Sequence, residues 1–400
     1  MLSQTQNYLL ELIKASTFDN LPLNPSKEKL NDVLSEAISQ TVLGLISPLI
    51  QGGEETSVQY KAMYMRIMYE HAKLLECFES AKIPCVILKG VAAAVYYPRP
   101  YLRTMGDIDV LVPKNYFLES LNVLESNGYI YDHGKGLDDQ ITDMTRELTY
   151  TKNGLIVEIH QRFSSPGVSV DDILEDAIDR RDYIELNGFR LPVLPVAENG
   201  LVLLGHVNQH LVTNTLGLRQ IIDWEMYVHS NTDNSFWSSE FIPLAEKTGL
   251  LKFAANVTYM CNKYLGLPEK IDFGIEVDDE LADELIQVVM TDGNFGRRAY
   301  ADNSLDEERV INASYGIKRD GFFKYFTHVG MVTSSFCRKH PSLKVFAFFT
   351  GTFRQLRMGI CALFKNIGIG RKMSEGKKMY EVHSKRHELF EKLGARTEND

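Results

Sequence analysis

Asp107 and Asp109 stand two residues apart in the run Gly106-Asp-Ile-Asp-Val-Leu-Val112. Side chains alternate between the faces of a strand, so the two carboxylates share one face, with Cα atoms about 6.6 Å apart. The neighbours Ile108, Val110, Leu111 and Val112 are apolar enough to bury the strand. Buried carboxylates need a counter-ion, and hard oxygen donors suit Mg²⁺ or Mn²⁺. Without one, their mutual repulsion predicts that replacing both by Asn would stabilise the fold. About fifty residues on, Leu155-Ile-Val-Glu-Ile-His160 alternates in the same way and places Glu158 and His160 on one face. Asp-x-Asp on one strand and a third acid on its neighbour is a layout for phosphoryl or nucleotidyl transfer. Two ions about 3.5–4 Å apart then clamp the attacking and leaving oxygens. Asp107, Asp109 and Glu158 are thus the candidate metal ligands and catalytic residues.

Cations and donors surround this set in the sequence. Val86-Ile-Leu-Lys-Gly90 reads as a strand running into a helix. Gly90 lets phosphate oxygens approach backbone N–H groups at the helix start, and Lys89 adds a positive charge. Arg103 can grip a phosphate with two parallel hydrogen bonds, or it can neutralise the Asp pair. His160 is either a substrate contact or a structural histidine. Glu158 could complete the metal site or accept a proton from an acceptor hydroxyl. His206 and His210 are four residues apart on a helical pattern. This spacing fits a packing helix or a pair of metal ligands. Arg219 and Asp223, also four apart, read as an ion pair on one helix.

The ordered set Leu88-Lys-Gly90, Arg103, Gly106-Asp-Ile-Asp-Val-Leu-Val112 and Val157-Glu-Ile-His160 resembles an uncharacterised bacterial nucleotidyltransferase family of the polymerase-beta-like superfamily. The resemblance extends over roughly residues 75–300. It takes in Leu203-Leu-Gly-His206, His210, Leu218-Arg219, Ile222-Asp-Trp224 and Asp292-Gly-Asn-Phe-Gly296. It implies transfer of a nucleotidyl group from a nucleoside triphosphate, with Mg²⁺ or Mn²⁺ as cofactor and pyrophosphate released. Lys89, Gly90, Arg103, His160 and His210 are then the substrate-binding candidates. Better-known members of the superfamily carry Gly-Ser where this chain has Lys89-Gly90.

These residues need elements to hold them. The expected fold is α+β, with a small mixed sheet flanked by N-terminal helices and a large C-terminal helical domain. A helical region over 1–80 precedes an α/β catalytic unit over 81–196. A helical domain over 197–335 follows, then a segment over 336–400. Asn153-Gly154 and Asn187-Gly188 are strong two-residue hairpin signals. From Arg338 to Ser374 basic residues interleave with Phe346, Phe349, Phe353 and Phe364, without an acid. This segment could pack on the helical domain or face an anionic surface.

Composition narrows the partners. A 44% hydrophobic and 24% charged chain is ordinary globular material. The net charge of −10 argues against general coating of nucleic acid. The acceptor is left open among a small molecule, a sugar, a protein side chain and an RNA end. Five scattered cysteines without a Cys-x-x-Cys pair suggest free thiols. No signal-peptide pattern opens the chain, and no apolar run reaches about eighteen residues. The expected compartment is the cytoplasm.

Overall fold

The computed structural model describes residues 2–18, 30–132, 146–165, 168–293 and 388–396. The basic aromatic segment therefore lies outside the described residues, as does the end of Asp292-Gly-Asn-Phe-Gly296. The described residues up to 293, with Leu389–Arg396, belong to one compact unit.

Seven strands form one mixed sheet, ordered β3-β4-β5-β2-β1-β9-β8. They are β1 (Val86–Leu88), β2 (Asp107–Leu111), β3 (Ile130–Tyr131), β4 (Glu147–Lys152), β5 (Leu155–His160), β8 (Asp182–Leu186) and β9 (Phe189–Val193). Two short strands, β6 (Ser164–Ser165) and β7 (Val168–Ser169), pair apart from it. Both Asn-Gly turns form the expected hairpins. Asn153 and Gly154 have φ of +53° and +72°, and Asn187 and Gly188 have +51° and +80°. Positive φ at both central residues matches the right-handed twist of the flanking strands. The second hairpin does more than sequence reading foresaw, because β9 joins the catalytic sheet parallel to β1.

Helices α1 (Gln4–Phe18), α2 (Leu30–Ser39) and α3 (Glu54–Ser80) precede the sheet. Helix α4 (Gly90–Ala94) follows β1, α5 (Phe117–Ser126) follows β2, and α6 (Asp171–Asp179) precedes β8. Then come α7 (Val196–Val212), α8 (Leu218–Ser230), α9 (Leu251–Tyr264) and α10 (Asp279–Asp292). With the mixed sheet this is the expected α+β fold. Among the described residues, no helix is long and apolar enough to cross a membrane.

Alternation along β2 and β5 gives the sheet two unlike faces. Ile108, Val110, Val157 and Ile159 point into one core, under Ile67, Met68 and Phe78 of α3 and Leu121 and Leu124 of α5. Val86, Leu88 and Leu111 belong to a second, larger core with α1, α7, α8, α9 and α10. Leu389, Phe390 and Leu393, from the segment expected over 336–400, also enter that core. The candidate acids alternate onto this second side.

Candidate active site

The register of the sheet assembles the site. β2 and β5 run parallel, with Asp109 opposite Glu158 and Leu111 opposite His160. The β4–β5 hairpin sets Glu147 opposite His160. Strand β1 ends at Leu88 and turns directly into α4. Lys89, at that turn, has φ +48° and ψ −134°. Residues with a side chain enter such conformations at about 1–3 kcal/mol and hold them only where the surroundings enforce it. Gly90 follows at φ +29°, where a side chain would be strained.

The bend brings Lys89 onto β2, with its Nζ 2.7 Å from Asp109 Oδ1. His160 Nε2 lies 2.9 Å from the same oxygen and 3.7 Å from Glu158 Oε2. On its other side, His160 Nδ1 is 3.3 Å from Glu147 Oε2. Asp109 and His160 are buried, while Asp107, Glu147 and Glu158 are partly exposed.

These contacts split the acids into two kinds. Burial works against charge on Asp109, but Lys89 and His160 outweigh it and hold the carboxyl well below its ordinary range. Burial likewise opposes charge on His160, and its hydrogen bonds to Asp109 and Glu147 reverse the effect, so its pKa is raised. Glu158 goes the other way. Burial first, and then the Asp109 charge, push it up to about 7. Burial and Asp109 also raise Asp107. Lys89 and His160 thus serve Asp109, while Glu158 and Asp107 lack a cation of equal effect.

That imbalance suits a metal ion. Asp109, Glu158 and His160 offer donor atoms that all lie within 4.8 Å of one another and could hold one. The sequence reading grouped Asp107, rather than His160, with Asp109 and Glu158. Asp107 lies two residues along on the same face and lines the same cavity. A cation there would offset the charge that burial penalises on Glu158 and Asp107.

A cavity of about 170 Å³ lies between this face of the sheet and helices α7 and α8. Lys89, Gly90, Asp107, Asp109, Glu147, Glu158 and His160 line it from the sheet side, with Arg146 at the start of β4. His206, Gln209 and His210 of α7 and Arg219 of α8 line the other wall. The sequence candidates Lys89, Gly90, Arg103, Asp107, Asp109, Glu158, His160 and His210 therefore all border one space.

Arg103 borders it as an anchor. Its Nε and Nη2 donate to the two carboxylate oxygens of Asp223, each at 2.6 Å. Tyr97 Oη donates to the same carboxylate at 2.7 Å. Arg103 Nη1 donates to the Thr104 carbonyl at 3.1 Å, and Thr104 Oγ1 donates to the Thr41 carbonyl at 2.8 Å. The strand that carries Asp107 is thereby tied at its start to α8. The Asp223 carboxylate, expected to pair with Arg219 along one helix, holds a partner 120 residues away in the sequence.

On α7, His206 and His210 meet Nε2 to Nε2 at 2.8 Å, with rings edge to face. His210 Nδ1 is 2.7 Å from Thr215 Oγ1. Burial, then His210, lowers His206 well below the ordinary histidine value. Burial, then Arg219, lowers His210 to about 3. The pair is therefore neutral, with one N–H between the facing nitrogens.

Four lining residues, Arg146, Glu147, Phe163 and Gln209, escaped the sequence reading. Glu147 could have been found by counting back from the Asn153-Gly154 turn, which pairs it with His160. Gln209 carries no such signal.

Strand order, the acids in register and the cavity between sheet and helices together form one acidic site. Residues 28–266 match the sequence model of a family described as "Uncharacterised nucleotidyltransferase". The chain belongs to that family, whose description points to nucleotidyl transfer as the general kind of activity. A search of curated proteins finds no match to the chain.

Proposed function

We propose that the protein is a metal-dependent nucleotidyltransferase. It moves a nucleoside monophosphate group from a nucleoside triphosphate to an acceptor and releases pyrophosphate. The observation that carries this reading is the pairing of Asp109 with Glu158 across parallel strands, with Asp107 on the same face of one cavity. Asp107, Asp109 and Glu158 are the residues for Mg²⁺ or Mn²⁺. The bound ion would supply charge neutralisation at the reacting phosphate.

The chain's own residues do the positioning. Lys89 and the Gly90 backbone face the phosphates, and Lys89 must leave Asp109 to reach them. His160, held between Asp109 and Glu147, fixes the orientation of Asp109. Glu158, which is pushed up to about 7 in the ion-free protein, either completes the metal site or takes the acceptor's proton. His210 borders the substrate from α7. Arg103 acts through the loop it anchors.

The Lys89–Asp109 ion pair favours a second reading. A carboxylate already neutralised by lysine fits a protein that binds a nucleotide without turning it over. One assay separates the two. Protein with Mn²⁺, each of the common nucleoside triphosphates and a cell extract as acceptor source is expected to release pyrophosphate, and Asp107→Asn/Asp109→Asn protein is not. Metal-dependent triphosphate binding without pyrophosphate release from any mixture would establish the non-catalytic reading instead.

A further inference from the structure

His160 stands between carboxylates on both edges of its ring, and one of them is outside the proposed metal set. Its Nε2 faces Asp109 Oδ1 at 2.9 Å and Glu158 Oε2 at 3.7 Å. Its Nδ1 faces Glu147 Oε2 at 3.3 Å. The ring is buried, so protein groups rather than bulk water set its orientation.

The hairpin fixes the Glu147 contact. The β4–β5 ladder sets Lys152 opposite Leu155 beside the Asn153-Gly154 turn, and at its far end it sets Glu147 opposite His160. Directly opposed residues share a face of the sheet, so both side chains stand on its charged side. Just beyond, the N–H groups of Gln161 and Arg162 donate to the Arg146 carbonyl at 3.0 and 3.4 Å, which fastens this end of the ladder. Arg146 also borders the cavity. The His160 hydrogen bond first, with the Arg146 charge among the further causes, holds the Glu147 carboxyl below its ordinary range.

In the proposed reaction Lys89 leaves Asp109 for the phosphates. Among the described residues, His160 is then the side chain that still holds Asp109. An ionised carboxylate only accepts hydrogen bonds. Glu147 therefore keeps the proton of Nδ1 in place and leaves Nε2 aimed at Asp109 and Glu158.

We infer that Glu147 is a positioning residue for the metal site, acting through the His160 imidazole that orients Asp109. This rests on the metal-dependent reading above. A carboxylate that orients a histidine at a metal site contributes about ten- to a hundredfold to metal affinity or activity.

Calorimetry of Mn²⁺ binding to the full chain, arranged as a double-mutant cycle, tests this. Glu147→Ala is expected to weaken Mn²⁺ about ten- to a hundredfold. Glu147→Gln keeps an acceptor oxygen for Nδ1 and should recover most of that loss. In a His160→Gln background, Glu147→Ala should change Mn²⁺ affinity by less than about twofold, because the group it acts through is gone. Unchanged affinity in Glu147→Ala overturns the assignment. So does an equal loss in Glu147→Gln, which would make the effect one of charge alone, or a full further loss in the His160→Gln background. If His160→Gln fails to fold, the comparison of Ala with Gln at position 147 decides. If the variants behave as expected but the wild type never releases pyrophosphate from a nucleotide, the positioning role stands and the transfer reading falls. If the wild type releases pyrophosphate and Glu147→Ala matches it in Mn²⁺ affinity, the transfer reading stands and the positioning role falls. A wild type that binds no Mn²⁺ overturns the metal site and the positioning role together.

Discussion

The two faces of the central sheet are made by the same two strands and obey opposite rules. On one, Ile108, Val110, Val157 and Ile159 are almost fully buried among aliphatic and aromatic side chains of α3 and α5. On the other, one residue along in each case, stand Asp107, Asp109, Glu158 and His160. The apolar face is stabilised by area removed from water. The charged face persists because Lys89 and His160 converge on a single carboxylate. Stability and chemistry are thereby assigned to alternate residues of one strand, and substitutions on the two faces should separate them.

The largest effect is expected at Asp109. Asp109→Asn removes the negative charge shared by Lys89 and His160, and breaking such a buried ion pair costs about 3–5 kcal/mol. Thermal melting should show the loss, together with loss of turnover. Asp107→Asn should also abolish turnover, yet hold or raise the melting temperature, because burial and Asp109 already oppose charge there. Equal shifts for the two variants would mean that the face is not organised around Asp109. This also revises the expectation that relieving the Asp pair stabilises the protein, which now applies to Asp107 alone.

Next comes the apolar face. Ile108→Ala should lower stability by about 2–5 kcal/mol through the cavity it leaves. Metal-dependent triphosphate binding should persist in the folded fraction. Loss of binding in protein that remains folded would show that the two faces are coupled.

A smaller effect concerns pH. Folded Glu158 holds its proton up to about 7, against 4.5 for an ordinary glutamate. The ion-free protein should therefore keep the stability tied to this proton below the ordinary value, and lose it as pH rises through 7. His160, whose pKa is raised, contributes in the same direction above the ordinary histidine value. On the proposed metal site, Mn²⁺ would displace the Glu158 proton, so its affinity should rise by up to about tenfold per pH unit below 7. Glu158→Gln should flatten both trends between pH 5 and 7, as calorimetry and melting curves would reveal. An unchanged slope would place the titrating group elsewhere.

The smallest effect tests the anchor between the layers. Tyr97→Phe removes one hydrogen bond to the Asp223 carboxylate and should cost about 1.5 kcal/mol. Urea unfolding would measure it. A far larger loss would mean that Tyr97, rather than Arg103, holds Asp223 in place.

What could be read in advance follows the range of each interaction. Strand alternation located the common face of Asp107 and Asp109, and that of Glu158 and His160, because a period of two needs only neighbours. The Asn-Gly pairs located both hairpins for the same reason. The bond from Arg103 to Asp223 spans 120 residues and left no local trace, so the arginine read as a phosphate ligand and the aspartate as a partner for Arg219. The insertion of β9 beside β1 was equally non-local. Lys89 lay between these cases. Its position at the strand end was legible, but its lean towards Asp109 depends on a backbone conformation that residue type alone does not announce.

Helix α7 carries His206 and His210 on the cavity side and Asn208 between them. Asn208 exchanges two hydrogen bonds with the backbone of Arg396, at 3.0 and 2.8 Å, across 188 residues. During synthesis on the ribosome, at about 5–20 residues per second, that span takes on the order of 10–40 s. The acidic strands emerge long before the back of the helix facing them can be sealed. Until then Asn208 has no Arg396 to bond, and the wall opposite the acids is held by fewer contacts than in the finished molecule.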